Sequence, residues 1–224
     1  MAQIVGIIQV KGGAGRSTVA TNLAGLIADS GKKVVLVDCD MPQGTSASWG
    51  AIRQTEPKAS PVSIATAKDH VQLVELVTKL NNNFDFIVID APPRIAEITR
   101  AVVILSNLCL VPIGASTPEI WATSDLMETI KAAKERKPDL DVRLLWNRFR
   151  KSTRLAVELS AAAGKELGLK EMKSKLGYRV AYQESMGRGL TVAEWPDKAA
   201  KSELLALGKE IEHILKTKFI KVNK

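Results

Sequence analysis

The stretch Ile4–Thr18, IVGIIQVKGGAGRST, is an apolar run that breaks into glycines and ends in two hydroxyl residues. A short apolar run bounded by glycine reads as a buried strand, and the residues after it carry a helical stripe, so the glycines turn the chain sharply between the two. Only glycine lets a backbone turn so tightly and bring its N–H groups close to a bound anion, and the N-terminus of the following helix adds a favourable partial charge. The stretch is therefore read as strand, phosphate-cradling loop and first helical turn, with the Ser17 hydroxyl placed to suit Mg2+. It departs from the general pattern G-x-x-x-x-G-K-[ST] at two positions: Val10 stands where the first glycine belongs and Arg16 where the lysine belongs, while Lys11 sits at the front of the loop. An ordinary glycine-rich turn would require neither the strand before it nor the helical pattern after it.

The alternation continues along the chain. Val19, Leu23, Leu26 and Ile27 form the apolar stripe of a helix that Gly31 can stop, and Lys33–Asp38 is again a continuous apolar run, now ending in an acid. Strand, helix and strand in so few residues make a βαβ unit, which implies a parallel sheet buried on both faces. Further strands are expected at Phe84–Asp90, Leu108–Ile113 and Val142–Trp146, with another at Pro61–Thr66. Helices are expected at Lys68–Leu80, Ile95–Leu105, Pro118–Arg136, Thr153–Leu167 and Lys198–Lys218, while Met172–Tyr178 fits neither period. There is no internal repeat and no linker rich in Pro, Gly or Ser, so residues 1–224 are read as a single α/β domain. Its architecture is a doubly wound, mostly parallel sheet with helices on both faces, which binds ligands at the carboxyl ends of its strands.

Composition removes several function classes. Aromatic residues are 4% of the chain, too few for recognition by stacking bases on a row of rings. No apolar run approaches the roughly 18 residues of a membrane span, and no signal-like segment opens the chain, so the expected location is the cytoplasm. Cys39 and Cys109 lie in or beside apolar strands, as reduced, partly buried thiols would, and are too far apart in sequence for a metal site. Charge is unevenly placed: residues 1–140 carry 14 Lys plus Arg against 14 Asp plus Glu, and residues 141–224 carry 18 against 10, so the whole excess of +8 lies in the last third. A neutral part followed by a basic part suits a polyanion, with nucleic acid first and an anionic membrane second; a solvated basic surface is the alternative.

Acidic strand ends accompany the loop. Asp90 closes FIVID, Asp38 closes KVVLVD, and Asp40 follows two residues on. The loop Lys11-Gly12-Gly13-Ala14-Gly15-Arg16-Ser17-Thr18 resembles the deviant Walker A loop of the ParA/MinD ATPases. Asp38-Cys39-Asp40-Met41-Pro42-Gln43-Gly44 is similar to their D-x-D-P-Q-G stretch with Met41 inserted. Ser116-Thr117-Pro118-Glu119-Ile120-Trp121-Ala122 resembles the P-S-P-x-D-x-W-A region, and Leu145-Trp146-Asn147-Arg148 resembles the strand ending in Asn-Arg. Gly189-Leu190-Thr191-Val192 with Trp195-Pro196 resembles the segment near the nucleotide that precedes the final helix.

The resemblance implies ATP or ADP with Mg2+ as ligands. It implies that Gly12, Gly13, Ala14, Gly15, Arg16, Ser17 and Thr18 hold the phosphates, Ser17 and Asp90 the metal with Asp38 as a further acid of its shell, and Asp40 the attacking water. Lys11 reaches the partner's phosphate across a nucleotide-sandwich homodimer, and Asn147 with Arg148 meets the adenine. Arg16 keeps the charge of a lysine but is longer, planar and forked, so slow hydrolysis is expected. The ATP-bound dimer is expected to bind DNA without sequence preference and to associate with the nucleoid. The candidate residues are Arg148, Arg150, Lys151, Arg154, Lys173, Lys175, Arg179, Arg188, Lys198 and Lys201. No helix-turn-helix segment precedes the loop, so recognition of a plasmid, chromosome or other cargo falls to a ParB-like adaptor. Two other readings stand beside this one: a MinD-like membrane ATPase using the tail IEHILKTKFIKVNK, and a hydrolysis-impaired scaffold that the nucleotide only locks as a dimer. The spacing of that tail equally suits a helix packed on the sheet.

Overall fold

The computed structural model describes residues 1–94, 97–150 and 154–220. The chain runs β1 (Gln3–Ile7), α1 (Arg16–Asp29), β2 (Val34–Asp38), α2 (Thr45–Arg53), β3 (Ser63–Thr66), α3 (His70–Leu80) and β4 (Phe86–Asp90). It continues through α4 (Glu97–Leu105), β5 (Leu108–Ile113), α5 (Thr117–Arg136), β6 (Asp141–Trp146), α6 (Arg154–Leu167), β7 (Lys170–Glu171), α7 (Ala181–Met186) and α8 (Lys198–Leu215). The seven strands form one sheet in the order β3-β2-β4-β1-β5-β6-β7, and every pair is parallel.

Continuous apolar runs become central strands because helices cover both faces. Every residue of β2, β4 and β5 is buried. Alternate strand residues feed two cores: Ile4, Val35, Ile87, Cys109 and Val111 pack with α3, α4 and α5, whereas Val5, Leu36, Val88 and Leu110 pack with α1, α8 and Trp49 of α2. Both thiols are buried and free, as expected of cysteines in apolar strands. Because α1 leaves β1 on one face and α4 follows β4 on the other, a crevice opens at the carboxyl ends of β1 and β4, the switch point of the fold.

The structure revises several expected boundaries. α2, α7 and β7 were not anticipated, and β4 begins at Phe86 rather than Phe84. The expected starts of α4 at Ile95 and α6 at Thr153, and the candidate Lys151, lie outside the described residues. The last helix ends at Leu215, not Lys218: Lys216 takes a left-handed φ of 51°, and the chain folds back so that Glu212 accepts hydrogen bonds from the backbone N–H groups of Phe219 and Ile220. Phe219 is buried and meets Phe86 edge-on, with ring centroids 5.2 Å apart. Among the described residues no helix is long and apolar enough to cross a membrane.

Candidate nucleotide site

The glycines of the loop do different work. Gly13 and Gly15 adopt φ of 75° and 90°, a region in which a side chain is strained, and a Cβ on Gly15 would lie 2.2 Å from Asn147 Nδ2. Gly12 has neither constraint: among the described residues other than Lys11 and Gly13, no heavy atom lies within 4 Å of where its Cβ would stand. Its lack of a side chain keeps open the space above the loop, as a ligand approaching the backbone requires. Among the described residues, the backbone N–H groups of Gly12, Gly13 and Gly15 donate to no protein acceptor. The first turn of α1 contains no acid to offset its partial positive charge. Loop and helix terminus together present the donors and partial positive charge that an anion cradle requires.

Asp90 stands beneath it, paired in register with Ile7 of β1 and Asp38 of β2. It is fully buried; Ser46 donates its hydroxyl to Oδ2 at 2.7 Å, the Ser17 hydroxyl lies beside the same carboxylate, and among the described residues Oδ1 has no hydrogen-bond partner. Burial pushes its pKa up to about 6 against the lowering effect of the two serines, with Asp38 raising it further and Arg16 opposing. An orphaned carboxylate oxygen beside a serine hydroxyl at a phosphate cradle fits Mg2+, a cation that takes one or two protein oxygens and completes its shell with phosphate and water. Among the described residues there is no group of three or more His, Cys, Asp or Glu that could hold a metal ion.

The other acids are differently engaged. Asp38 is buried and accepts the Asp40 N–H on Oδ1 and the Ala47 N–H on Oδ2, both at 2.9 Å, so its carboxylate organises the turn after β2 and caps the first turn of α2. Gly44, in a left-handed conformation, has no side chain for that task. Asp40 reaches Arg16 at 3.7 Å; desolvation raises its pKa, and Arg16 works against that rise.

Arg16 is the largest departure from expectation. Its side chain does not project into the cradle: it is buried and donates to the carbonyls of Ala91, Gln9 and Lys11. Lys11 stays half-buried at the loop's mouth. Asn147 is likewise committed to the protein, with Nδ2 donating to the Ala14 carbonyl at 2.9 Å and Oδ1 accepting the Arg148 N–H at 3.0 Å. Arg148 pairs with Glu119 at 3.0 Å, and both line a recess of about 220 Å3 with Gly114, Ser116, Arg150 and Tyr178 at the ends of β5 and β6.

Several residues of the site carry no recognisable sequence signal. Gln9 is buried and clamps the loop to β5 and α5, donating to Pro112 O and Thr123 Oγ1 while accepting the Val10 N–H. Arg53, at the end of α2, donates to Ser60 O and Gly189 O and forks onto Glu194, which in turn accepts from Thr191. Trp49 donates to Leu190 O, and Val192 N–H donates to Asn22 of α1. The Gly189–Val192 segment is thereby fastened to both α1 and α2.

Among the described residues the basic candidates separate into those held by a side-chain partner and those that face solvent. Arg179 forks onto Glu203, Arg154 pairs with Glu158, Arg150 and Arg188 lie over Tyr178 and Trp195, and Lys175 bonds Ser160. Lys173 is exposed, although its backbone N–H donates to Glu210. Lys198 and Lys201, joined by Lys209, line a shallow recess of about 400 Å3 along one face of α8.

Residues 5–192 match the family described as the CobQ/CobB/MinD/ParA nucleotide binding domain. The chain belongs to that family. Among its relatives is the maintenance of carboxysome distribution protein A of Halothiobacillus neapolitanus, 28% identical over 83% of this chain and 84% of that protein. Another is the sporulation initiation inhibitor protein Soj of Bacillus subtilis, 24% identical over 94% and 98%. Among solved structures, the cell division ATPase MinD of Pyrococcus furiosus superposes with a TM-score of 0.77 at 20% identity, covering 96% of this chain and 100% of that one. The CobQ/CobB/MinD/ParA family membership agrees with the resemblance read from the loop and the acidic strand ends.

Proposed function

We propose that this chain is a ParA-type ATPase that dimerises on Mg-ATP, binds DNA non-specifically in that state and positions a cargo through an adaptor protein. The observation that carries the proposal is the glycine loop ending at Ser17, whose hydroxyl lies beside the buried Asp90 carboxylate, with Oδ1 of Asp90 left without a partner among the described residues. The relatives support it, since they are named for carboxysome distribution and for sporulation control.

In this reading the loop N–H groups would receive the phosphates, and Ser17 and Asp90 would hold Mg2+, which would supply positive charge to offset the phosphate charge. Asp40 orients the attacking water and takes up its proton, Asp38 holds Asp40 and α2 in register, and Lys11 reaches the phosphate of the partner protomer. Asn147 and Arg148 bound the space for the base, once Asn147 exchanges its bond to Ala14. The membrane alternative is disfavoured by the tail, whose Phe219 is committed to the core.

Sedimentation of the full chain with ADP, ATP and no nucleotide, each with Mg2+, tests the reading. A dimer only with ATP is expected, and Lys11→Ala should remain monomeric while still binding nucleotide. A chain that neither binds Mg-ATP nor changes its association state would sink the proposal.

A further inference from the structure

Arg16 stands where the general phosphate-loop pattern has a lysine, yet its side chain turns back into the protein, with only 6% exposed. Nε donates to Ala91 O, and one terminal nitrogen donates to both Gln9 O and Lys11 O, each at 2.8 Å. The other terminal nitrogen lies 3.7 Å from Asp40 Oδ2. Gln9 and Lys11 belong to the segment after β1, Ala91 follows β4, and Asp40 follows β2, so one planar group fastens the ends of three strands. A fork of five rigid donors can do this, whereas the three donors of an ammonium radiate from one atom and cannot reach acceptors so spread. Turning Arg16 toward a phosphate would strip charged donors from carbonyls inside the protein.

We propose that Arg16 is a positioning residue that fastens the nucleotide loop to the end of β4 and to Asp40, and is not a ligand of the phosphates. Its consequence for the reaction rests on the ATPase reading; its anchoring does not. The loop is held in shape before ligand arrives, and phosphate charge is left to the loop N–H groups, Mg2+ and Lys11. A lysine at this position would reverse the balance, with a looser empty loop and a tighter grip on phosphate.

The test compares the parent with Arg16→Lys and Arg16→Gln by thermal unfolding without nucleotide, hydrogen exchange of residues 9–16 and Ala91, and equilibrium binding of a fluorescent ATP analogue with Mg2+. Both variants should unfold about 4 °C or more below the parent when empty, and the loop amides should exchange faster. Arg16→Lys should nonetheless bind the analogue about tenfold more tightly than the parent, and Arg16→Gln should not. This opposite movement is what a merely structural arginine cannot give, because loss of structure alone weakens binding in both variants. Insolubility of Arg16→Gln together with a destabilised Arg16→Lys also supports anchoring. Unchanged unfolding and exchange in Arg16→Lys would overturn the proposal, as would weaker binding by Arg16→Lys than by the parent, the mark of an arginine that holds phosphate. A parent that fails to bind the analogue would end the ATPase reading, while the unfolding and exchange comparison would still decide the anchor.

Discussion

Asp90 is buried, and among the described residues nothing hydrogen-bonds its Oδ1, a cost to the fold that a cation bound there would offset. Its pKa stands at about 6 against an ordinary 3.8, with burial as the leading cause. A group whose pKa is raised on folding favours the fold while protonated; the benefit is complete below the ordinary value and is lost as pH rises through the folded one. At pH 7.5 the ionised side chain therefore costs the metal-free fold on the order of 2–3 kcal/mol. Asp90→Asn removes that cost, since the amide is neutral at every pH and can still accept from Ser46. In EDTA the variant should match the parent near pH 4 and unfold several degrees above it at pH 7.5, while gaining nothing from Mg-ATP. Thermal scans of both proteins across pH give the answer, and a variant less stable than the parent at pH 7.5 would show that the acid serves the empty fold. Such a site is a place where stability is given up for binding. The thiols, by contrast, are inert: burial pushes Cys109 up to about 12 and Cys39 higher, so neither offers thiolate at neutral pH.

Among the elements, α2 and the segment that leads into α8 show what the sequence could and could not reveal. Strands β1, β2, β4, β5 and β6 were legible because burial on both faces writes itself as unbroken apolar runs, and α1, α3, α5 and α8 because one apolar stripe faces a core. Thr45–Arg53 carries no such stripe: the helix is nine residues long, includes Gly50, follows a left-handed Gly44 with no side-chain cap, and borrows its cap from Asp38 on the preceding strand. A cap supplied from another element is invisible to local pattern. The same holds for Gln9, Arg53 and Glu194, whose partners lie as far as 141 residues away. Arg16 was visible as an anomaly, but its direction depends on carbonyls that only the folded strand ends bring together. Two glycines give this scale its test. Gly189 takes φ of +69°, and a Cβ there would stand 2.4 Å from the backbone nitrogen of Arg53; Gly12 has open space and no positive φ. Gly189→Ala should cost more than about 2 kcal/mol, because neither backbone can yield without parting α2 from the segment. Gly12→Ala should change stability by no more than about 0.5 kcal/mol and yet weaken Mg-ATP binding, the substituent now standing where phosphate must approach. Urea midpoints and nucleotide titrations of the two variants decide it. A destabilised Gly12→Ala with unchanged binding would mean that the loop glycine serves the fold alone.

Across the whole molecule the question is where the basic excess of the last third meets solvent, and the structure redistributes what the charge count lumped together. Arg148 and Arg179 stay partly exposed but are held by Glu119 and Glu203, so these two guanidinium groups are less available to a polyanion than the charge count suggests. Lys198, Lys201 and Lys209 share one face of α8, whose N-terminus follows the Gly189–Val192 segment fastened to α1 and α2. On the proposed function this connection would carry a nucleotide-driven change to the lysines, and that reading distinguishes two kinds of basic residue experimentally. Non-specific DNA binding works by displacing counterions, so the logarithm of the association constant falls linearly with the logarithm of salt, with a slope of about 0.9 per phosphate neutralised. Retention on DNA with Mg-ATP should therefore drop steeply between low and moderate salt. Lys198→Ala and Lys201→Ala should each reduce the slope by about one. Arg179→Ala should leave the slope unchanged, because its guanidinium is already engaged by Glu203, and should act through stability alone. Filter retention of labelled duplex across a salt series, with ATP and with ADP, measures all three. A slope that falls equally for Arg179→Ala would place the DNA on the paired side of the surface, and equal retention with ATP and ADP would remove the link between nucleotide and polyanion on which the partition reading stands.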